Sequence, residues 1–150
     1  MKTFAAYSYA ADPCVPGFDD TGPRVVMDGQ CALCAKGARW IARGDRANEF
    51  RIIQMQSPLG AALLDHYGLD PDDPESWLYI VDGRAFTSMD AIIRVGFRLG
   101  GVWKVLAVLR ILPQRLQDGI YGWAARRRLK LAKGKTICEL PDPAVKARLL

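Results

Sequence analysis

The run from Val25 to Cys34 constrains the fold of this 150-residue chain more than any other segment. A short apolar stretch is followed by Asp28-Gly29 and then by a Cys-x-x-Cys pair, Cys31 and Cys34. A segment with helical periodicity begins at once. This order predicts a strand that turns directly into a helix and holds two thiols at the helix N-terminus.

The start of a helix changes the chemistry of a thiol. Its unpaired backbone N–H groups and the helix dipole favour negative charge, and the thiolate is the reactive form of cysteine. Half of the residues are hydrophobic, so a core can form without covalent links, and four cysteines are too few for a disulfide-built scaffold of this size. We therefore expect dithiol–disulfide exchange at the pair, with two inert core cysteines as the alternative.

The two cysteines are expected to have different roles. Cys31 lies nearer the helix start, so its thiolate should be the better stabilised one and act as the nucleophile. Cys34 shares helical spacing with Ala38 and Ile41, so it should face inward and resolve the mixed disulfide formed on Cys31. This interpretation places Cys31 at the exposed end of the pair.

Asp28 and Gly29 join the predicted strand to the cysteines. Asp28 could take the proton from Cys34 as that thiol becomes a nucleophile. Alternatively, it is a turn former that bonds local backbone N–H groups, and the two readings stay open. Gly29 should allow a tight backbone turn and the close approach of a substrate.

The remaining elements follow from periodicity and from turn residues. Residues 1–23 are predicted to be a flexible N-terminal lead-in, because prolines and glycines interrupt any pattern. Residues 24–150 are predicted to form one domain. Its predicted elements are a strand Arg24–Asp28, a helix Cys31–Arg43, a strand Phe50–Met55, a helix capped by Ser57 and ended by Gly68, a hairpin of Trp77–Val81 and Arg84–Thr87 around Asp82-Gly83, a helix capped by Ser88, and two more helices over about 102–133.

The order of these elements indicates the fold class. A crossover helix between the first two strands makes them parallel, and the hairpin then adds antiparallel strands. This is the topology of an α/β thioredoxin-like fold, a small mixed sheet flanked by helices. Here it carries a C-terminal helical extension and a tail that contains Cys138.

Several segments resemble the DCC family of thiol-disulfide oxidoreductases, within the thioredoxin-like superfamily. The matching segments are Asp28-Gly29-x-Cys31-x-x-Cys34, Gln56-Ser57, Asp82-Gly83-Arg84, Ser88-x-Asp90-Ala91, Leu99-Gly100-Gly101 and Cys138-x-Leu140-Pro141. The resemblance spans about residues 25–149 and implies a thioredoxin-like fold and protein-disulfide reductase activity. The chain departs from the family at Met27, where Tyr or Phe is usual, and at Ser76, where thioredoxin-like proteins usually have a proline.

Ser88 and Asp90 open the helix that follows the hairpin. A helix start at this position binds the terminal groups of glutathione in glutaredoxins, and helix N-termini bind carboxylates readily. The two residues are therefore candidates for binding a glutathione-like thiol. The alternative is an N-cap with an acid in the first turn, which the helix dipole favours in any case.

A zinc site is one alternative function. Cys31 and Cys34 have ligand spacing, and Cys138 with Cys14 or His66 could complete four ligands. Structural zinc sites usually bring two tight ligand pairs, and the second pair is missing here. Redox chemistry is therefore the preferred interpretation, and we expect no metal.

A docking module is the other alternative. The apolar stretch Val102–Leu112, followed by a basic cluster from Arg126 to Lys135, could bind a membrane surface or a partner. A helix that is apolar nearly all round is more typical of a core helix, which we prefer. Nucleic-acid binding is not expected, because no aromatic residues interleave with the basic cluster.

The last expectations concern partners and location. No stretch reaches the ~18 apolar residues that cross a bilayer, and the N-terminus makes a poor signal peptide. The protein is therefore predicted to be cytoplasmic. We expect a disulfide-containing protein or small thiol as substrate, a cellular reductant as electron donor, and no bound organic cofactor.

Overall fold

The computed structural model describes residues 4–70, 77–101, 103–105 and 142–150, with the single positions 113, 116, 119, 120 and 123. Its elements are a 3-10 helix Ser8–Ala11, strand β1 Arg24–Met27, helix α1 Ala32–Gly44, strand β2 Arg51–Gln54, helix α2 Pro58–His66, strands β3 Leu78–Val81 and β4 Arg84–Thr87, helix α3 Ser88–Leu99 and a short helix α4 Pro143–Lys146.

The four strands form one open sheet in the order β2-β1-β3-β4. β1 and β2 are parallel, with Met27 opposite Gln54. β3 runs antiparallel to both β1 and β4. This architecture confirms the predicted α/β class, a small mixed sheet flanked by helices, and it is consistent with a thioredoxin-like fold.

Successive residues of each strand pack on opposite faces of the sheet. On one face, Val25, Ile52 and Tyr79 pack with residues of α1 and α3. On the other, Val26 and Ile53 pack with residues of α2 and of the N-terminal segment. The sheet is therefore covered on both sides, and the ends of its strands remain at the edges where loops meet helices.

Local signals place most element boundaries correctly. The Ser57 side chain accepts a hydrogen bond from the Gly60 N–H at 3.1 Å, so Ser57 caps α2 as predicted. Asp82 and Gly83 have φ values of 50° and 70°, as a two-residue hairpin turn requires. The cap of α3 was predicted wrongly: Thr87 is the N-cap, and Ser88 is the first helical residue with a φ of 55°.

The N-terminal segment contributes to the core, which the sequence analysis did not predict. Tyr9 is buried, and its hydroxyl donates to Asp20 at 2.8 Å. Phe4 packs edge-on against Tyr67 with ring centroids 4.9 Å apart. Proline and glycine prevent regular structure in this segment, but its aromatic side chains still bury apolar area against α2.

The C-terminal residues return to the edge of the sheet. Leu149 forms a parallel bridge with Ile52 of β2, and Val145 of α4 is fully buried in the core beside α1. The two helices predicted over about 102–133 lie largely outside the described residues, as does Cys138. They stay predictions.

Candidate active site

The two cysteines lie where β1 passes into α1. Cys31 is the N-cap residue of α1, with extended backbone angles (φ −90°, ψ 121°), and its carbonyl accepts from the Ala35 N–H at 2.9 Å. Cys34 follows in the first turn, and both residues are thiols. The predicted placement of the pair at a helix N-terminus, directly after a strand, is therefore confirmed.

The exposure of the two cysteines is the reverse of the prediction. Cys31 is buried, with 7% of its surface exposed, whereas Cys34 is half-buried. The reason is the position of the buried stripe of α1, which runs through Ala35, Ala38 and Ala42. These residues follow Cys31 by four, seven and eleven positions, so they share its face of the helix. Cys34 lies at the edge of that buried face. Cys34 has helical spacing with the buried Ala38 and Ile41 as well, so the spacing in the sequence did not by itself decide which thiol is buried.

The turn before Cys31 is held by Gln56, a residue that the sequence analysis did not assign to the site. The Gln56 side chain accepts from the Gly29 N–H at 3.0 Å and donates to Asp28 Oδ1 at 2.8 Å. Asp28 Oδ1 also accepts from the Gln30 N–H at 2.9 Å. Asp28 therefore makes the local backbone bond expected of a turn former, in addition to the bond from Gln56.

Gly29 permits this close packing. A Cβ atom at this position would lie 2.7 Å from Gln54 Oε1 and 3.0 Å from Gln56 Oε1. Gln54 is the last residue of β2, and Gln56 follows it two residues later. β2 is the parallel neighbour of β1. The carboxyl ends of parallel strands lie at the same edge of a sheet. This rule could have predicted from the sequence that Gln54 and Gln56 lie near the cysteines.

Ser88 lies at the same edge of the sheet as the cysteines. Thr87, which precedes it, is opposite Leu78, and Leu78 is opposite Val26 of β1. Ser88 is thus about two strand spacings, or roughly 10 Å, from the end of β1. The Asp90 carboxylate accepts from Arg94 Nε at 2.8 Å, one turn along α3, which is the local arrangement expected of a first-turn acid.

Of the residues named to complete a zinc site, His66 is engaged elsewhere and Cys138 lies outside the described residues. His66 contacts Asp12 Oδ2 through Nδ1 at 2.6 Å and Ser8 Oγ through Nε2 at 2.9 Å. The hydrogen bond from His66 lowers the pKa of Asp12. Cys14 is exposed in the N-terminal segment. Within residues that the structure describes, no group of three or more His, Cys, Asp or Glu side chains is arranged to hold a metal.

A membrane-crossing helix is likewise not found in the described part of the chain: none of its helices is long and apolar enough. Most of the residues proposed for membrane docking lie outside that part.

Comparison with known proteins identifies relatives over most of the chain. A family model described as DCC1-like thiol-disulfide oxidoreductase matches residues 25–133. The uncharacterized protein YuxK of Bacillus subtilis is 32% identical over 126 residues, which cover 84% of this chain and 92% of that protein. A chloroplastic DCC family protein of Arabidopsis thaliana is 28% identical over 123 residues, 81% of this chain and 72% of that protein. No solved structure shows significant similarity.

Proposed function

Because the chain belongs to the DCC1-like thiol-disulfide oxidoreductase family, we propose that it reduces disulfide bonds by exchange at Cys31 and Cys34. One observation carries this proposal: both thiols lie in the first turn of α1, at the end of β1. The N–H groups of that turn and the helix dipole stabilise a thiolate there.

In the first step, the Cys31 thiolate attacks one sulfur of the substrate disulfide. A new S–S bond joins Cys31 to the substrate, the substrate bond breaks, and its second sulfur leaves as a thiolate. The position of Cys31 as N-cap favours this role. Its low exposure means that the substrate sulfur must approach closely, past the turn at Gly29 and Gln30.

In the second step, Cys34 attacks the sulfur of Cys31. The mixed disulfide breaks, the substrate sulfur that was bonded to Cys31 leaves as a thiolate, and a Cys31–Cys34 disulfide forms. Two electrons thus pass from the protein dithiol to the substrate. Asp28 accepts the proton of Cys34 as that thiol becomes a nucleophile, and a cellular reductant then restores the dithiol.

The substrate side of the site is proposed to include Gly29, Ser88 and Asp90. Gly29 is buried against Gln54 and Gln56 and lets the chain turn tightly beside the substrate, and Ser88 and Asp90 present the start of α3 at the same edge of the sheet. The substrate is a disulfide-containing protein or a small thiol. Because a reductant must regenerate the pair, we place the activity in a reducing compartment, the cytoplasm.

An insulin reduction assay with dithiothreitol tests the proposal. Cys31→Ser should abolish the activity above the dithiothreitol background. Cys34→Ser should accumulate a mixed disulfide on Cys31, which mass spectrometry detects. Cys14→Ser is the matched control, because it removes an exposed thiol far along the chain from the pair, and it should retain full activity.

Two other outcomes would change the conclusion. Equal activity in the wild type and in both single variants would exclude exchange at this pair. A mixed disulfide trapped on Cys34 by Cys31→Ser would keep the exchange chemistry and reverse the roles, as the exposure order of the two thiols would then suggest.

A further inference from the structure

A cleft of about 500 Å³ lies along α1. It is lined by Lys36, Arg39, Trp40, Arg43, Gly44 and Trp103. Three of these six residues are cationic, two are indoles, and none is acidic. The exchange chemistry proposed above uses none of them.

The positive charge of the cleft is poorly compensated. Among described residues, Arg39 is the only one of the three cations with a carboxylate partner, and Asp142 Oδ2 lies 3.7 Å from its Nε. A charge-assisted hydrogen bond is about 2.7–2.9 Å long, so this contact is weak. Lys36 and Arg43 form no ion pair within the described part of the chain. The cleft therefore presents net positive charge to solvent.

The indoles form an apolar wall beside these charges. Trp40 and Trp103 pack edge to face with ring centroids 4.3 Å apart. The buried Nε1 of Trp40 has no hydrogen-bond acceptor among the described residues, and an unsatisfied buried donor is costly. An occupant that offers both oxygen acceptors and apolar side chains matches such a wall.

One exposed face of α1 runs from the cleft to the start of the helix, where the cysteine pair lies. Leu33, between the two cysteines, is 41% exposed. Leu33, Lys36, Trp40 and Arg43 follow one another at three- and four-residue steps, so they lie along one face of α1. Trp40 is six residues past Cys34, about 9 Å along the helix axis. An extended polypeptide covers that axial distance in about three residues, and the turn of about 120° around the helix adds about one or two more.

We infer that this face of α1 docks an acidic segment of the polypeptide substrate, located about three to five residues from the cysteine that is attacked. The inference rests on the proposed function and specifies its substrate class: polypeptide disulfides flanked by Asp or Glu. Acidic side chains contact Lys36 and Arg43, and a neighbouring apolar side chain packs on Trp40 and Trp103. Gly37 borders this path, and a Cβ at Gly37 would meet no atom within 4 Å, so the path is open.

Single-turnover kinetics with pre-reduced protein test this inference. Two synthetic peptide disulfides are compared that differ only in the flanking residues, aspartates in one and lysines in the other. A small neutral disulfide, hydroxyethyl disulfide, measures the exchange chemistry alone. At low salt the wild type should reduce the aspartate peptide about threefold to tenfold faster than the lysine peptide, and salt should diminish the preference.

Lys36→Glu and Arg43→Glu should each lower the rate with the aspartate peptide by about threefold and raise it with the lysine peptide. The rate with hydroxyethyl disulfide should not change. Arg84→Glu is the control, because it changes the net charge equally at an exposed position at the start of β4. It should leave both peptide rates unchanged.

The remaining outcomes overturn the inference in distinguishable ways. Equal rates for the two peptides, with hydroxyethyl disulfide still reduced, would reject the docking site and leave the proposed function intact. No reduction of hydroxyethyl disulfide by the wild type would reject the proposed function itself. Loss of binding to anionic phosphatidylserine vesicles in Arg43→Glu, with unchanged peptide rates, would assign the face to a membrane instead.

Discussion

Gln56 and Asp28 are joined across the ends of two parallel strands, with Gln56 Nε2 donating to Asp28 Oδ1 at 2.8 Å. The same side chain accepts from the Gly29 N–H at 3.0 Å. One glutamine thus fixes both residues of the turn that leads into Cys31. The position of the cysteine pair depends on a side chain 28 residues away from Asp28 in the sequence.

Gln56→Ala should loosen this turn. Loss of the two hydrogen bonds should lower the free energy of unfolding by about 1 kcal/mol, and the insulin reduction rate should fall because the thiols lose their support. Gln56→Glu should be worse at pH 7, since it places a second carboxylate against Asp28. Urea unfolding and the reduction assay measure both effects.

Gln30→Ala is the control for that pair of variants. Gln30 is exposed, and its backbone N–H, not its side chain, bonds to Asp28. Its removal should leave stability and rate unchanged. A loss in Gln30→Ala equal to that in Gln56→Ala would show that the Gln56 side chain has no special part in holding the turn.

Gly60 and Gly37 should respond oppositely to alanine. A Cβ at Gly60, in the first turn of α2, would overlap the backbone oxygen of Gln54, which cannot rotate away. Gly60→Ala should therefore cost about 2–3 kcal/mol of unfolding free energy. A Cβ at Gly37 in α1 meets nothing, so Gly37→Ala should add about 0.5–1 kcal/mol through helix propensity. Thermal unfolding shows whether each variant is more or less stable than the wild type. A Gly60→Ala variant that is more stable than the wild type would contradict the close approach of Gly60 to the Gln54 backbone.

Arg148 and Asp45 form a buried ion pair that ties the C-terminal residues to the end of α1. Nε of Arg148 lies 2.9 Å from Asp45 Oδ2, and the two side chains are 8% and 1% exposed. Arg148→Ala leaves the Asp45 carboxylate buried without its cation. The expected loss of unfolding free energy is about 3 kcal/mol.

Arg98→Ala is the matched comparison for the ion pair. Arg98 makes two bonds to Glu49, at 2.7 and 2.8 Å, but the side chains are 38% and 32% exposed. Solvent screens this pair, so its loss should cost less than about 1 kcal/mol. Urea denaturation measures the loss of unfolding free energy in Arg148→Ala and in Arg98→Ala. Equal losses would contradict the conclusion that the Arg148–Asp45 pair is buried and the Arg98–Glu49 pair is exposed to solvent.

Alkaline pH should destabilise the protein through Tyr79. Burial raises the pKa of Tyr79 to about 12, whereas an unfolded tyrosine titrates near 10. Between these values the unfolded chain releases the proton and the folded chain retains it, so the free energy of unfolding decreases as pH rises from about 10 to about 12. Unfolding measured from pH 8 to 12 should show this decline.

Tyr79→Phe should make the alkaline decline shallower, because the buried ring remains while the titrating hydroxyl is lost. Burial also raises the pKa of Tyr9 and Tyr67, so part of the decline should persist. An unaltered slope in Tyr79→Phe would contradict the linkage.

The amino-acid sequence by itself determined the local features. The Ser57 cap, the Asp82-Gly83 hairpin and the two thiols at the start of α1 each depend on residues within one turn of one another, so short-range stereochemistry was sufficient to predict them. The strand–helix–strand order also determined the fold class, because a crossover helix requires parallel strands. The cap of α3 was predicted wrongly as Ser88 instead of Thr87, since the choice between the two depends on where β4 stops pairing.

Only the tertiary structure decided how distant residues meet. Gln56 reaches Asp28 because β1 and β2 are in one particular register, and Arg148 reaches Asp45 because the chain returns to the sheet edge. Cys31 is buried because the face of α1 that packs in the core includes Ala35, Ala38 and Ala42, so the exposure order of the two thiols was predicted wrongly. Periodicity shows which face of an element is apolar, but the contacts of that face depend on register and crossing angle, which arise only when the whole chain is packed.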